Sequence, residues 1–425
     1  MTNKPQYQVV IVGAGIGGLT LASICRRLSL SYTILERLPS LTPAGAAISL
    51  SPQALSVLDQ LGLYSALKAV AQPMTRIRVS QNGKLWNELD WTICEKIYGY
   101  PVVTVERAKL MQILYAAAGK EKVQLGCAVQ DVVEDAENES VSVHLADGRI
   151  LSASIVVGAD GIRSAVRRTL ARETGNANAG NTIKFTKRVH MSGWSHPLPG
   201  LGEKELGVAN WLFYDDSVMM TFGGRDNRQW FIAIRECEEI PDKDRSVWVG
   251  VTPGMIKEVH GEKEHPFAKK TGKLGEIVDQ AERVLATNIF AEYAYPPMAV
   301  SRVALVGDAA HSMSPWFGQG GTACIEDAAE LGNTLYSIFS ESQKVKEALQ
   351  AYRSRREKRT QEIAKFSADF GRLYSAQLPY GLGGIVRGLL FGYVPSNIWL
   401  WWLKWLYGYQ PILRGLDVSG SEVDK

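Results

Sequence analysis

Paired cysteines are the first thing missing from this sequence. Cys25, Cys94, Cys127, Cys237 and Cys324 are odd in number, far apart and without a CxxC pair, which excludes a disulfide framework and argues against zinc or any other metal centre. A reducing, cytoplasmic setting fits. Charge of one sign is missing too: 47 basic against 44 acidic side chains leave a net +3, with no run of five like charges. That balance offers nucleic acid no electrostatic footprint. Long apolar runs are also absent. Val9 to Val12 pass straight into glycines and do not extend into a signal-peptide core, so the fold is expected to begin near Tyr7. Residues 382–395 and 398–407 are apolar but broken by Arg387, Pro395 and Lys404, short of the roughly 20 residues that span a bilayer.

What is present is core. With 425 residues, 46% hydrophobic and 21% charged, the chain supports two or three packed units of roughly 100–200 residues. Four of its eleven tryptophans, Trp399, Trp401, Trp402 and Trp405, fall within seven residues near the C-terminus.

The first 36 residues read strand, glycine turn, helix, strand: QVVIV, GAGIGG, LTLASICRRLSL, TILER. That order in about 30 residues is what a dinucleotide-binding unit requires. A helix pattern at Pro52 to Leu63 follows, then strand-like alternation over 76–105, a helix in ERAKLMQILYAAAG, and a meander ending in ASIVVGADG. From about 180 to 300 the texture changes to aromatic strands (NWLFYDD, SVMMTFGG, QWFIAIRE), with a helical, basic stretch expected at 255–287. RVALVGDAAHSM returns to strand and turn, and 345–376 is a charged helix.

Three pieces carry chemistry. In GAGIGG, Gly13 permits the tight turn, Gly15 lets the backbone approach a pyrophosphate, and Gly18 lets helix pack on strand, with the phosphates at the helix N-terminus. Glu36, 18 residues beyond Gly18, suits a ribose diol; Arg37 beside it suggests a 2′-phosphate that Glu36 would repel, so FAD or NAD is favoured over NADP at this site. In VVGADGIRSAVR a buried strand ends at Asp160-Gly161. In VALVGDAAHSMSPWFGQGG a strand delivers Asp308 to a turn, and Pro315, Gly318, Gly320 and Gly321 form a loop whose amides are open to a ligand. His311 reads as a structural member of that turn.

Together these pieces resemble the group A flavin-dependent monooxygenases, the para-hydroxybenzoate hydroxylase-like aromatic hydroxylases and their fungal epoxidase relatives of secondary metabolism. The resemblance extends through PAGAAISLSPQALSVLDQLGL, which contains Gly45 and Ala47, and through Glu106-Arg107-Ala108-Lys109-Leu110. It implies an α/β fold: a Rossmann-like FAD-binding domain made of 1–175 and 300–340, an inserted, mostly antiparallel substrate sheet at 176–299, and a C-terminal helical region at 341–425 ending in the tryptophan-rich tail. It also implies that Arg107 contacts FAD, that Asp308 holds its ribityl chain, and that Pro315 faces the isoalloxazine with Trp316 and Phe317 as apolar lining. In that family NAD(P)H binds transiently without its own Rossmann domain. This matches the single fingerprint here, since GLGGIVRG at 381–388 follows no strand. Reduced flavin then takes O2 to a C4a-hydroperoxide that transfers an electrophilic oxygen atom.

On this resemblance the acid–base groups come from the 180–300 sheet. Arg188 is a fixed cation and His190 a switchable base for a phenolate or enolate, and Tyr214 orients a hydroxyl. Relatives often carry Arg before the glycine equivalent to Gly193, where this chain has Ser192. The expected activity is hydroxylation or epoxidation of a lipophilic aromatic, polycyclic or prenylated molecule. A small-phenol or aromatic-acid hydroxylase and a flavin oxidase or reductase stand as alternatives; the WxWxIP motif of flavin halogenases is absent. If Ile398 to Tyr409 form one helix, Ile398, Trp401, Trp402, Trp405 and Tyr409 share a face. That face is either a peripheral membrane anchor or port for a lipophilic substrate, or a layer packed over the sheet or between the copies of a homodimer; the chain is expected to be a monomer or homodimer.

Overall fold

The computed structural model describes residues 4–41, 45–173, 175, 183–198, 205–237, 248–266, 272–292, 294–376 and 382–416. At the centre of an eight-stranded sheet lies Tyr7–Val12, whose β-branched run is buried on both faces as a parallel strand requires. Tyr32–Leu35 and Ile150–Gly158 flank it in parallel, and Val303–Leu305 lies parallel beyond Ile150–Gly158. The registers pair Val12 with Leu35, Val12 with Gly158, and Gly158 with Leu305. Strand ends that are far apart in sequence therefore finish side by side, and the turns that follow, at Gly13, Glu36, Asp160 and Gly307, gather at one carboxyl edge. That edge is where open α/β sheets bind ligands.

Helix Ile16–Arg27 leaves this edge and packs against helix Gln319–Ser340 so closely that a Cβ at Gly17 would stand 2.3 Å from Cys324 Sγ. Residues 129–158 form the expected antiparallel meander.

A seven-stranded sheet stands against this unit, ordered Ala281–Glu292, Ile183–Ser195, Gln229–Glu236, Ser217–Gly223, Val208–Phe213, Arg76–Gln81, Lys84–Asp90. Two findings differ from the sequence reading. The strands at 76–90, expected within the FAD unit, belong here: Val208–Phe213 pairs in parallel with Arg76–Gln81. Residues 281–287, expected to be helical, begin a strand paired along Ile183–Ser195; only Pro253–His260 and Gly275–Val278 of that stretch are helical. Tertiary pairing overrides a weak helical pattern there.

The C-terminal region closes over one face of this sheet. Helix Val345–Tyr374 directs Ile363, Phe370 and Tyr374 inward, where they join Trp211 and Phe213 of the sheet and Phe391, Trp399 and Tyr407 of the tail in one core. Phe391 stacks on Trp399 with centroids 5.4 Å apart, a pairing worth about 0.5–1.5 kcal/mol beyond its buried area. The tail is not one helix. Ser396–Trp402 and Lys404–Tyr407 break at Leu403, and Tyr409 turns inward: its hydroxyl donates to Glu330 Oε1 at 2.6 Å and its ring lies under Arg359. Tyr409 therefore does not share the outward face of Trp401. Among the described residues no helix is long and apolar enough to cross a membrane.

Candidate active site

Glycine spacing builds the first part of the site. A Cβ on Gly13 (φ +104°) would stand 2.4 Å from Ala159 O, and one on Gly18 would stand 2.0 Å from Gly13 O. The protein itself requires those two glycines. Gly15 differs: its Cβ would meet nothing closer than Ala159 O at 4.0 Å, so the chain leaves open the space in front of it, at the N-terminus of helix Ile16–Arg27. No side chain caps that terminus, and its amides and positive dipole end face a cavity of about 510 Å³ lined by Gly13, Gly15, Glu36, Arg37, Asp160 and Gly161.

Glu36 accepts from Ala14 N at 2.9 Å and from Leu38 N at 3.0 Å, which fixes its carboxylate beside the turn. Asp160 lines the cavity, yet both its oxygens are engaged locally, Oδ1 by Ser164 Oγ at 2.5 Å and Oδ2 by Ala165 N at 2.7 Å. Burial nonetheless raises its pKa. Its geometry is that of a cap for helix Ala165–Glu173.

Arg107 lines this cavity and a second one of about 690 Å³, which also takes in Gly45, Ala47, His190, Asp308 and Pro315. The two spaces thus form one elongated channel with a guanidinium at its waist. Burial pushes the Arg107 pKa down while Asp308 opposes that shift. Asp308 is exposed to the channel, and the turn that presents it is held from behind. Gly307 (φ +61°) donates its N–H to Asp327 Oδ2 at 2.9 Å, His311 Nε2 lies 2.5 Å from the same oxygen, and Arg356 Nε donates to Oδ1 at 2.8 Å. Burial disfavours the His311 imidazolium, but the Asp327 charge and hydrogen bond outweigh it and raise the pKa. Removing one partner from such a buried set costs about 3–5 kcal/mol, so the turn carrying Asp308 is rigidly placed. His311 is, as read from the sequence, a member of the turn.

The loop after Pro315 separates the channel from a third, inner cavity of about 80 Å³. Phe317 adopts left-handed backbone (φ 63°, ψ 8°), an uncommon and strained conformation for an aromatic residue. Gly318 caps helix Gln319–Ser340, again without a side-chain hydrogen bond. A Cβ at Gly320 would meet nothing within 4 Å, whereas one at Gly321 would strike Ile48.

The inner cavity is lined by Trp91, Trp211, Phe222, Trp230, Tyr374 and Tyr407, with Met74, Met220, Ser49 and Ser51 among the remainder. No charged side chain lines it among the described residues. Trp230 borders both this cavity and the channel, and its buried Nε1 has no hydrogen-bond partner. Burial holds the Tyr374 and Tyr407 phenols well above their usual pKa, so both remain protonated donors.

The three residues expected to act on substrate are not brought together. His190 lines the channel, its pKa pushed down to about 4 by burial, so it is neutral at physiological pH. Arg188 is two residues away on the same strand face but outside the channel and inner cavity, near Glu236 and Arg372. Tyr214 stands on the opposite face of the sheet, in a separate core with Leu212 and Met219, and its hydroxyl donates to Glu264 O. It cannot orient a hydroxyl in the inner cavity, because Trp211 and Phe213 take the inward positions of that strand. Of the aromatic residues that line the cavity, Phe317 is named as lining in the sequence reading and Trp211, Phe222 and Trp230 fall on the aromatic strands of its substrate sheet; Trp91, Tyr374 and Tyr407 do not stand out there, and for Tyr374 the spacing of four from Phe370 is the signal that marks the inward helix stripe.

Residues 6–367 match the family described as FAD binding domain. The chain is 42% identical over 419 residues to the FAD-dependent monooxygenase pynG of Aspergillus niger, covering 96% of each chain, and 28% identical over 431 residues to the FAD-dependent monooxygenase penM of Penicillium crustosum, covering 93% of this chain and 88% of that one. Its fold matches Klebsiella pneumoniae HpxO complexed with FAD and uric acid (TM-score 0.81, 18% identity, 97% of this chain and 98% of that one) and a salicylate hydroxylase substrate complex (TM-score 0.75, 22% identity, 96% and 97%). Strand ends, glycine turns and an open channel thus coincide with the family match, and the chain belongs to the FAD-dependent monooxygenases of group A.

Proposed function

We propose that this FAD-dependent monooxygenase uses NAD(P)H and O2 to hydroxylate or epoxidise a largely apolar aromatic, polycyclic or prenylated small molecule. What supports the substrate class is the lining of the inner cavity, whose space of about 80 Å³ takes only one end of such a molecule: aromatic and aliphatic walls, hydroxyl and indole donors, and no charged side chain among the described residues. A small aromatic acid needs a fixed cation against its carboxylate, and that lining offers none. Burying an unpaired carboxylate there would cost several kcal/mol.

The channel fits FAD on the chain's own terms, since Gly15 and Gly320 are glycines that no protein neighbour demands. In this reading Glu36 and Arg37 hold the ribose end, the amides at Gly13 to Gly15 the pyrophosphate, Arg107 the waist, Asp308 the ribityl hydroxyls, and the Pro315 to Gly321 loop, with Gly45 and Ala47 opposite, the ring. When bound there, FAD would supply the redox chemistry that couples NAD(P)H oxidation to insertion of one atom of O2 into substrate, the other leaving as water.

The residues' own share is placement. Trp230 donates its free N–H to a substrate or cofactor oxygen, Tyr374 and Tyr407 donate from the inner wall, and the aromatic layer excludes water. His190, held neutral by burial, offers the channel an uncharged hydrogen-bonding group and no charge.

The test is NAD(P)H consumption by purified protein across lipophilic phenols, indoles and prenylated aromatics, set against salicylate and para-hydroxybenzoate. Stimulation with oxygenated product is expected from the lipophilic set. Stimulation by the small acids alone would overturn the substrate class.

A further inference from the structure

The C-terminal helices leave an apolar hollow on the outside of the molecule, distinct from the channel and the inner cavity. This groove of about 700 Å³ is walled by Phe366, Leu373, Leu390, Val394, Trp401 and Trp405. Trp401 is 73% exposed beside it, and Ile398, Trp402 and Trp405 are exposed as well. The preceding helix, Gly383–Tyr393, adds an outward stripe at spacing four, Ile385, Leu389 and Tyr393, the last 80% exposed. Core packing does not explain these side chains, because the same turns satisfy the core with Phe391, Trp399, Leu400, Leu403 and Leu406. A contiguous exposed apolar surface of this kind marks an interaction site.

The geometry points to the surface of a phospholipid bilayer bearing anionic headgroups as what this face seats on. Tryptophan and tyrosine favour the membrane–water interface, where an apolar ring and a polar N–H or O–H are both satisfied. Charge agrees. Of the cations in residues 370–416, Arg387 is buried and Arg372 and Arg414 pair with Asp369 and Glu341, which leaves Lys404 exposed and without a carboxylate partner among the described residues. At the groove itself Glu362 and Asp369 are ion-paired with Lys358 and Arg372, whereas exposed Lys365 has no carboxylate partner among the described residues. Anionic headgroups complement these two lysines.

The helices here have 11 and 7 residues, too short to span, so they lie in the interface plane. The groove also borders the inner cavity. Its wall residues Phe366 and Phe370 contact Phe317, with centroids 5.2 and 4.9 Å apart, and Phe317 lines the cavity. A molecule dissolved in the bilayer would therefore stand one aromatic layer from the proposed substrate site.

Co-sedimentation of the full-length, flavin-loaded protein with vesicles tests this, using phosphatidylcholine alone and phosphatidylcholine with about one third phosphatidylserine. Binding is expected with both and stronger with the anionic vesicles. The double substitution Trp401→Ser, Trp402→Ser should weaken it about tenfold or more, and Lys404→Glu should reduce the anionic preference, all at unchanged flavin content and melting temperature. No binding, or equal binding by the double variant, overturns the proposal. So does a concentration-dependent dimer that Trp401→Ser dissociates without any vesicle binding, which would assign the face to a second copy. The readout needs no turnover, so its failure is separable from failure of the substrate assignment.

Discussion

At the proposed nucleotide end of the channel, the lining is main-chain amides, a few carboxylates and arginines at and beside strand ends; at the proposed substrate end it is aromatic side chains from a sheet, a 30-residue helix and a tail. The first end is specified by turns a few residues long, and each glycine there answers either to the protein or to the ligand. The second is specified by which face of a strand or helix a residue occupies, and exists only once 76–90, 208–236 and 370–407 have closed on one another. Turns encoded within a few residues are thereby joined to a wall assembled from distant segments.

The sharpest way to break this contrast is a pair of alanines. Gly13→Ala places a Cβ 2.4 Å from Ala159 O at φ +104° and is expected to destabilise the fold by on the order of 4 kcal/mol. Gly15→Ala has room in the apoprotein and should leave its melting temperature unchanged while weakening FAD retention about tenfold. Equal melting temperatures for both variants would contradict the assignment of one glycine to the fold and the other to the ligand.

The contrast extends to protons. His190, His260 and His265, on the sheet side, are pushed by burial down to about 4, about 4 and about 3, whereas His311 behind the Asp308 turn is raised. Below about pH 6.5 the unfolded chain binds protons that the three buried neutral histidines refuse. Their share of stability is therefore complete above that pH and falls as pH drops toward 4, by up to about 3 kcal/mol for His190. His311 runs the other way: its share is present below the unfolded value and is lost as pH rises through the raised one. Melting temperature against pH should fall steeply from 6.5 to 4, less steeply in His190→Gln; an unchanged slope in that variant would mean that His190 is not buried as a neutral group.

At the nucleotide end, Asp308→Ala should lower FAD affinity about 10–100-fold, the worth of hydrogen bonds to a charged group, with the apoprotein fold intact; normal flavin occupancy after desalting would remove Asp308 from the cofactor site. The smallest effect belongs to the substrate end. Trp230→Phe keeps the ring and loses only the unpaired N–H, so substrate affinity should weaken about 2–10-fold at full flavin content, and an unchanged affinity would leave Trp230 as wall alone.

These differences also account for what the sequence discloses. Gly13, Gly18, Glu36, Gly307 and Asp308 are legible because a tight turn needs particular residues at fixed spacing, although the register that brings the turns together is set by pairings more than a hundred residues apart. Tyr214 was not legible: WLFYDD is apolar at every inner position, and Val208–Phe213 is buried throughout, so no alternation distinguishes the cavity face from the far one. The tail posed the same difficulty. Trp399 and Trp401 lie two residues apart, and only the break at Leu403 and the anchoring of Tyr409 on Glu330 decide that one is core and the other surface. The strands at 76–90 read correctly as strands, but their sheet was decided by a parallel partner at 208–213.

The central claim, that this channel and cavity together perform monooxygenation of an apolar substrate, is tested most directly by turnover under 18O2 with a substrate from the lipophilic panel, followed by mass spectrometry. One labelled oxygen atom in the product, with NAD(P)H consumed in proportion, is the predicted result. Unlabelled product with the label recovered only in hydrogen peroxide would contradict it.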